Sequence, residues 1–211
     1  MADFEKLSQA VIEGNQDQVI ELTQAAVDEG IEPNTIIEKG LINGMNVVGK
    51  RFKEGDMFVP EVLMSAKSMK GGMNIVKPLL LEGEMPSEGK VLLGTVSGDL
   101  HDIGKNLVGM MMESGGLEIV NLGTDISPSE FAEKVKEHSP DVLGMSALLT
   151  TTMLSMRDTI EVLEEEGLRD SVKIMVGGAP VTKEFADEIG ADGWAPDAAS
   201  AKDLAFDLIN K

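Results

Sequence analysis

The hydrophobic period changes once along this 211-residue chain, and that change limits its fold more than any other feature. Up to about residue 83 the apolar residues recur three and four apart, the spacing of helices that bury one face. Phe4, Leu7, Val11 and Ile12 open the series, and Gly14 closes that segment. Asn15 is placed to cap a second helix carrying Val19, Leu22, Ala26 and Val27, which stops at Gly30. A third starts near Pro33 with Ile37, Leu41, Met45, Val48 and Phe52 on one side, and Gly55-Asp56 breaks it. A fourth begins near Pro60 and aligns Val62, Ala66, Met69, Met73, Val76 and Leu80. Four helices with short connections predict an antiparallel four-helix bundle over residues 1–83.

Residues 82–90 are polar, with two glycines and a proline, and residues 84–90 read as a linker and natural hinge. Beyond it, short apolar runs alternate with helical stretches. Strands are expected at Val91–Val96, Leu117–Leu122, Val142–Ser146, Val172–Val176 and around Trp194, with Ser127-Pro128 opening one of the intervening helices. Alternation of this kind predicts a five-stranded, doubly wound parallel α/β domain over residues 91–211. Ligands of such sheets sit beyond the carboxyl ends of the strands, which singles out loops 97–103, 122–127, 147–153 and 177–182.

Composition removes several classes of function. The chain lacks cysteine, so disulfides, thiolate metal sites and cysteine nucleophiles are excluded. Acidic residues outnumber basic ones 37 to 18, a net charge of −19 that repels nucleic acid and suits either solubility or basic protein partners. No apolar run approaches the ~18 residues of a membrane span, and the first residues lack a signal-peptide pattern, so a cytoplasmic location is expected. Fourteen methionines against seven Phe and Trp residues suit irregular helical cores.

The first loop reads Gly98-Asp99-Leu100-His101-Asp102-Ile103-Gly104. In extended chain Asp99 and His101 leave the strand side by side. A carboxylate on one imidazole nitrogen fixes the tautomer and raises the basicity of the other, as a metal-ligating histidine requires. His101-Asp102 also spells the signature of the HD-type metal phosphohydrolases. That chemistry needs several further histidines on helices, and this chain has only His101 and His138. His138, late in a predicted helix, suits a surface or helix-dipole role. In the third loop Ser146-Ala-Leu-Leu-Thr-Thr-Thr152 clusters hydroxyls that equally suit helix capping. Gly177-Gly178 suits either a tight turn or passage of a long ligand.

Taken together, Asp-x-His-x-x-Gly, Ser-x-Leu some forty residues on, and Gly-Gly resemble the B12-binding domain of cobalamin-dependent methyltransferases and mutases. The resemblance implies that His101 is the lower axial ligand of cobalt and Asp99 its hydrogen-bonding partner. Gly98, Leu100, Asp102, Ile103, Gly104, Ser146, Leu148, Thr150, Gly177, Gly178 and Ala198 would then contact the corrin or its tail. The helical half, with Gly44-Met-Asn-Val-Val-Gly-Lys-Arg-Phe52 and Met57-Phe58-Val59-Pro60-Glu61-Val62, resembles the cap of cobalamin-dependent methionine synthase. That likeness implies that Phe52, Val59 and Val62 cover the methyl-bearing face and that Glu38 lies near the corrin edge. Methionine synthase completes the Asp–His pair with a serine; here the aligned residue is Thr152.

The resemblance therefore implies a corrinoid methyl carrier of an anaerobic methyl-transfer system, not catalytic alone. A substrate-specific methyltransferase would load a methyl group onto Co(I). A second methyltransferase would take it from methyl-Co(III) to tetrahydrofolate or a thiol, and a reductive activation protein would keep the cobalt reduced. The competing readings are a B12-dependent sensor, which would carry a basic DNA-binding segment, and a mutase subunit, which would lack the cap.

Overall fold

A computed structural model describes residues 3–80 and 88–210. The chain divides into two compact units, with the main boundary between Ser87 and Glu88 and with Ser114–Gly116 belonging to the first unit. The expected linker, residues 84–90, lies outside the described residues up to position 87; strand β1 begins at Lys90.

The helical unit forms as its capping signals dictate. Helix α1 (Phe4–Ile12) opens on Asp3, whose carboxylate accepts from Lys6 N at 3.1 Å. Helix α2 (Gln16–Asp28) opens on Asn15, which accepts from Gln18 N at 3.2 Å. The third helix starts at Pro33 as expected but is not regular throughout: α3 (Pro33–Ile36) passes into a π-helical segment, Ile37–Ile42, and then α4 (Asn43–Glu54). The buried residues explain the irregularity. They fall in pairs, Ile36/Ile37, Gly40/Leu41, Gly44/Met45 and Val48/Gly49, that recur every four residues. A regular helix would rotate such a stripe by about 40° at each step, and a wide π turn restores its direction. Gly40 and Gly44 let α1 approach closely, since a Cβ would lie 2.4 Å from Leu7 and 2.7 Å from Val11. Helix α5 (Val59–Val76) packs against α2 and α4 and ends in a 3-10 turn, Lys77–Leu79, so Leu80 follows the helix instead of extending its seam.

The α/β unit alternates as expected: β1 (Lys90–Val96), α6 (Ile103–Glu113), β2 (Glu118–Ile126), α7 (Pro128–His138), β3 (Val142–Ser146), α8 (Leu154–Glu165), β4 (Lys173–Gly177), α9 (Lys183–Glu188), β5 (Gly193–Ala195) and α10 (Ala198–Ile209). All strand pairs are parallel, in the order β2-β1-β3-β4-β5. Leu92, Leu143, Ile174 and Val176 pack under residues of α7, α8 and α9. Val91, Leu93 and Met175 pack on the other face, with Met112 of α6 and Ala201, Ala205 and Leu208 of α10. The sheet is thus covered on both sides, and its strand order reverses direction between β1 and β3, where ligands of such folds lodge.

One expected loop is corrected. Residues 122–126 continue β2 instead of leaving it, and the strand holds two residues more than its partner β1. Leu93 pairs with Asn121, Gly94 with Gly123 and Val96 with Ile126. His138 is the last residue of α7, 3.7 Å from Glu137, in the helix-end position expected.

Candidate functional site

The site grows from the carboxyl end of β1. After Val96 the chain turns through Ser97-Gly98, and Asp99 N donates back to Val96 O at 3.2 Å. Gly98 has φ +78, a conformation that favours glycine. The segment is therefore turned rather than extended, which corrects the expected reason for pairing Asp99 with His101. Asp99 Oδ1 accepts the His101 backbone N–H at 3.0 Å, forming an Asx turn, and the same oxygen contacts His101 Nδ1 at 2.7 Å. Thr95 Oγ1 pins the turn from below by donating to His101 O at 3.0 Å.

The second carboxylate oxygen reaches across the sheet. Asp99 Oδ2 accepts from Leu148 N, just past β3, at 2.7 Å, and from Thr152 Oγ1 at 2.7 Å. Thr152 has a single hydroxyl proton and a second acceptor, Leu149 O, at 3.0 Å; the carboxylate is nearer and charged. The capping alternative for these threonines is not realised by Thr152, and α8 starts at Leu154 after Met153 without a side-chain cap. Asp99 is fully buried. Burial opposes its ionisation, but the bonds from Leu148, His101 and Thr152 outweigh that and hold the carboxyl well below the usual carboxylate range. An ionised carboxylate only accepts, so the proton in its contact with the ring belongs to Nδ1. In the neutral ring, Nε2 then carries the lone pair, and the imidazole is 52% exposed.

The surroundings of that ring are apolar and open. Leu100 and Ile103 are 73% and 76% exposed, and Leu148, Leu149 and Leu154 at the end of β3 and the start of α8 are exposed as well. Five large apolar side chains left exposed on the His101 loop and on the segment after β3, which Leu148 N ties to Asp99, suit a binding surface for a broad apolar ligand. Leu149 and Leu154 were not expected from the sequence; the signal for Leu149 is the apolar pair Leu148-Leu149 just past the end of β3, while Leu154 opens α8.

The remaining expected residues are distributed as follows. Asp102 accepts from Asn106 Nδ2 at 2.9 Å. Lys105, buried, donates to Asn121 Oδ1 at 2.6 Å, and burial pushes its pKa down against the attraction of Asp102. Gly104 has open space around its α-carbon. Ser146 ends β3 half-buried and Thr150 is exposed in the following loop. Gly178 has a strict steric reason to be glycine: a Cβ would lie 1.8 Å from Ala147 O, at φ +121. The pair also opens a turn, with Val181 N donating to Gly178 O at 3.0 Å. Ala198 is buried at the start of α10. In the helical unit Glu38 is exposed within the π-helical segment, Phe52 and Val59 are half-buried, and Val62 is buried.

Two family models described as B12 binding domains match the chain, over residues 3–77 and 89–202. A corrinoid protein of Desulfitobacterium hafniense is 47% identical over 100% of this chain and 99% of its own. Dimethylamine corrinoid protein 2 of Methanosarcina acetivorans is 47% identical over 98% and 95%. This chain belongs to the corrinoid proteins of methyltransferase systems. Among solved structures, a chain of the methanol:cobalamin methyltransferase complex from Methanosarcina barkeri superposes with a TM-score of 0.87 at 33% identity, covering 98% of this chain and 79% of that one. A cobalamin-binding protein from Desulfitobacterium hafniense gives 0.82 at 31% identity, covering 99% of both.

As a corrinoid protein, the chain binds a cobalamin-type cofactor. Its residues fit such a group. With Nδ1 held by Asp99, the half-exposed imidazole keeps Nε2 for a metal, and the exposed apolar side chains on this loop and after β3 suit a macrocycle. Among the described residues, no helix is long and apolar enough to cross a membrane.

Proposed function

We propose that this corrinoid protein carries methyl groups with His101 as the lower axial ligand of cobalt. One observation carries the reading: a fully buried carboxylate with four hydrogen bonds holds His101 by Nδ1 and leaves the imidazole, with Nε2 unengaged by Asp99, half exposed beside the exposed Leu100 and Ile103. When bound, the corrinoid supplies a reduced cobalt nucleophile that accepts a methyl group and gives it up again. The chain's own residues ligate, orient and shield.

Asp99 and Thr152 form the network behind the ligand, with Thr152 supplying the hydroxyl that the methionine synthase likeness places there as serine. Gly98, Leu100, Asp102, Ile103, Gly104, Ser146, Leu148, Thr150, Gly177, Gly178 and Ala198 contact the corrin or its tail. Gly178 in particular admits no side chain. Phe52, Val59 and Val62 cover the methyl-bearing face, with Glu38 at its edge, because an apolar cover keeps water from a reactive metal–carbon bond.

A substrate-specific methyltransferase loads the methyl group, and a second one passes it to tetrahydrofolate or a thiol, with a reductive activation protein restoring the cobalt. The relatives named for dimethylamine favour a methylated amine as donor. The protein is reconstituted with hydroxocobalamin, and its visible spectrum is compared with that of His101→Ala. The substitution is expected to abolish the histidine-bound spectrum while cobalamin still binds; an unchanged spectrum refutes the ligand assignment.

A further inference from the structure

The loop that carries Asp99 and His101 is held from both neighbouring strands. On the β3 side Leu148 N and Thr152 Oγ1 grip the carboxylate itself. On the β2 side Asp125 clasps the backbone: its Oδ1 accepts from Gly98 N at 2.7 Å, and its own N–H donates to Asp99 O at 3.1 Å.

Asp125 reaches that position through the two extra residues of β2, which fall between Leu93/Gly94 and between Gly94/Val96 of its partner. Bulges are rare in parallel pairs, and where they occur they re-aim a side chain. Asp125 also has φ +58, in the left-handed region that non-glycine residues seldom occupy. A backbone outlier beside a binding surface, with both its amide and its carboxylate engaged, marks a constrained functional position. The first bulge is tied to the far end of the same loop. Asn121 Oδ1 accepts from Gly123 N at 3.0 Å and from Lys105 Nζ at 2.6 Å, while Asn121 Nδ2 donates to Asn106 Oδ1 at 3.0 Å and Asn106 to Asp102.

We infer that Asp125 is a positioning residue for the axial histidine: by clasping Gly98 and Asp99 it sets the height and tilt of the His101 ring. The inference rests on the reading of His101 as the cobalt ligand. A metal–imidazole bond is directional, so a loosened loop is paid for in ligation, whereas corrin binding is spread over the wider apolar rim and survives.

The test uses the full chain, labelled with nitrogen-15 histidine, loaded with cobalamin and reduced to Co(II). The doublet splitting from a nitrogen-15 ligand in the electron paramagnetic resonance spectrum, distinct from the triplet given by the cofactor's own benzimidazole, reports the histidine-bound fraction. Asp125→Gly removes the carboxylate while accommodating the left-handed backbone, so it folds. It is expected to lower the ratio of histidine-bound to histidine-free cobalt about tenfold, the worth of one charge-assisted hydrogen bond, with total bound cobalamin unchanged. Asp125→Asn, which keeps an acceptor for Gly98, is expected to restore most of that loss. In the cofactor-free protein the Gly98 amide is expected to exchange hydrogen faster in Asp125→Gly than in wild type. A wild-type ratio in Asp125→Gly overturns the positioning role, as does a fall in bound cobalamin that matches the loss of ligation. Wild-type protein with no nitrogen-15 doublet, like His101→Ala, instead overturns the ligand reading and the inference with it.

Discussion

Replacing Asp99 by Asn changes one oxygen into an amide group and nothing in volume, yet the site has no orientation that accepts it. With the amide nitrogen at the Oδ2 position, it faces Leu148 N–H, a backbone donor that cannot reverse. Thr152 could swing its proton to Leu149 O, but the Leu148 amide stays unmatched. With the nitrogen at the Oδ1 position it faces the His101 backbone N–H, and Nδ1 could accept only by moving its proton to Nε2. Either orientation loses a charge-assisted bond and leaves one buried donor opposed, which together cost about 3 kcal/mol. Trp194, the only tryptophan, lies in β5 with Nε1 donating to Val181 O at 2.8 Å, so its fluorescence reports unfolding of the α/β unit. At a urea slope of about 1.5 kcal/mol/M the cofactor-free Asp99→Asn midpoint falls by about 2 M. The pH dependence has a definite sign. The folded carboxyl titrates well below the usual carboxylate range, so its stabilisation is fully present above the unfolded value of about 4 and is lost as pH falls through the folded one. The gap between wild type and Asp99→Asn therefore narrows in acid. A gap below about 1 kcal/mol at neutral pH, or one that widens in acid, refutes the account of Asp99 as an ionised, fully bonded anchor.

Substitutions at two further positions probe the same end of the sheet. Gly178→Ala puts a methyl carbon 1.8 Å from Ala147 O at a φ of +121, and is expected to destabilise the α/β unit by about 3 kcal/mol or more, read as a drop in its thermal midpoint. Thr152→Val removes the hydroxyl bonded to Asp99 at about constant volume and is expected to cost about 1.5 kcal/mol in urea unfolding, whereas Thr152→Ser stays within about 0.5 kcal/mol of wild type.

Much of the architecture was legible because its signals are local. Asn15 caps α2, Ser127-Pro128 opens α7 and Gly55 closes α4 through contacts with residues three or four away, so each can be read from a few neighbours. The change of apolar period separates helical from α/β chain for the same reason, since burial on one face is written directly into spacing. The π-helical segment lies between these cases. Its buried pairs recur every four residues and could have been read as such, but only the close approach of α1 along Gly40 and Gly44 shows why that stripe must keep facing one way.

The candidate site divides along the same line. Asp99-x-His101 names a carboxylate and an imidazole two residues apart, and the sequence alone supplied that pair. Its geometry was decided elsewhere. Two of the four bonds to Asp99 come from Leu148 and Thr152, 49 and 53 residues away, and the clasp on its loop comes from Asp125 at the end of a bulged strand. None of these leaves a local pattern, because a bulge and a cross-strand hydrogen bond are properties of which strands become neighbours. The sequence determined which groups do chemistry here; the sheet order β2-β1-β3, which sets Asp99 between two other strand ends, decided how rigidly they are held.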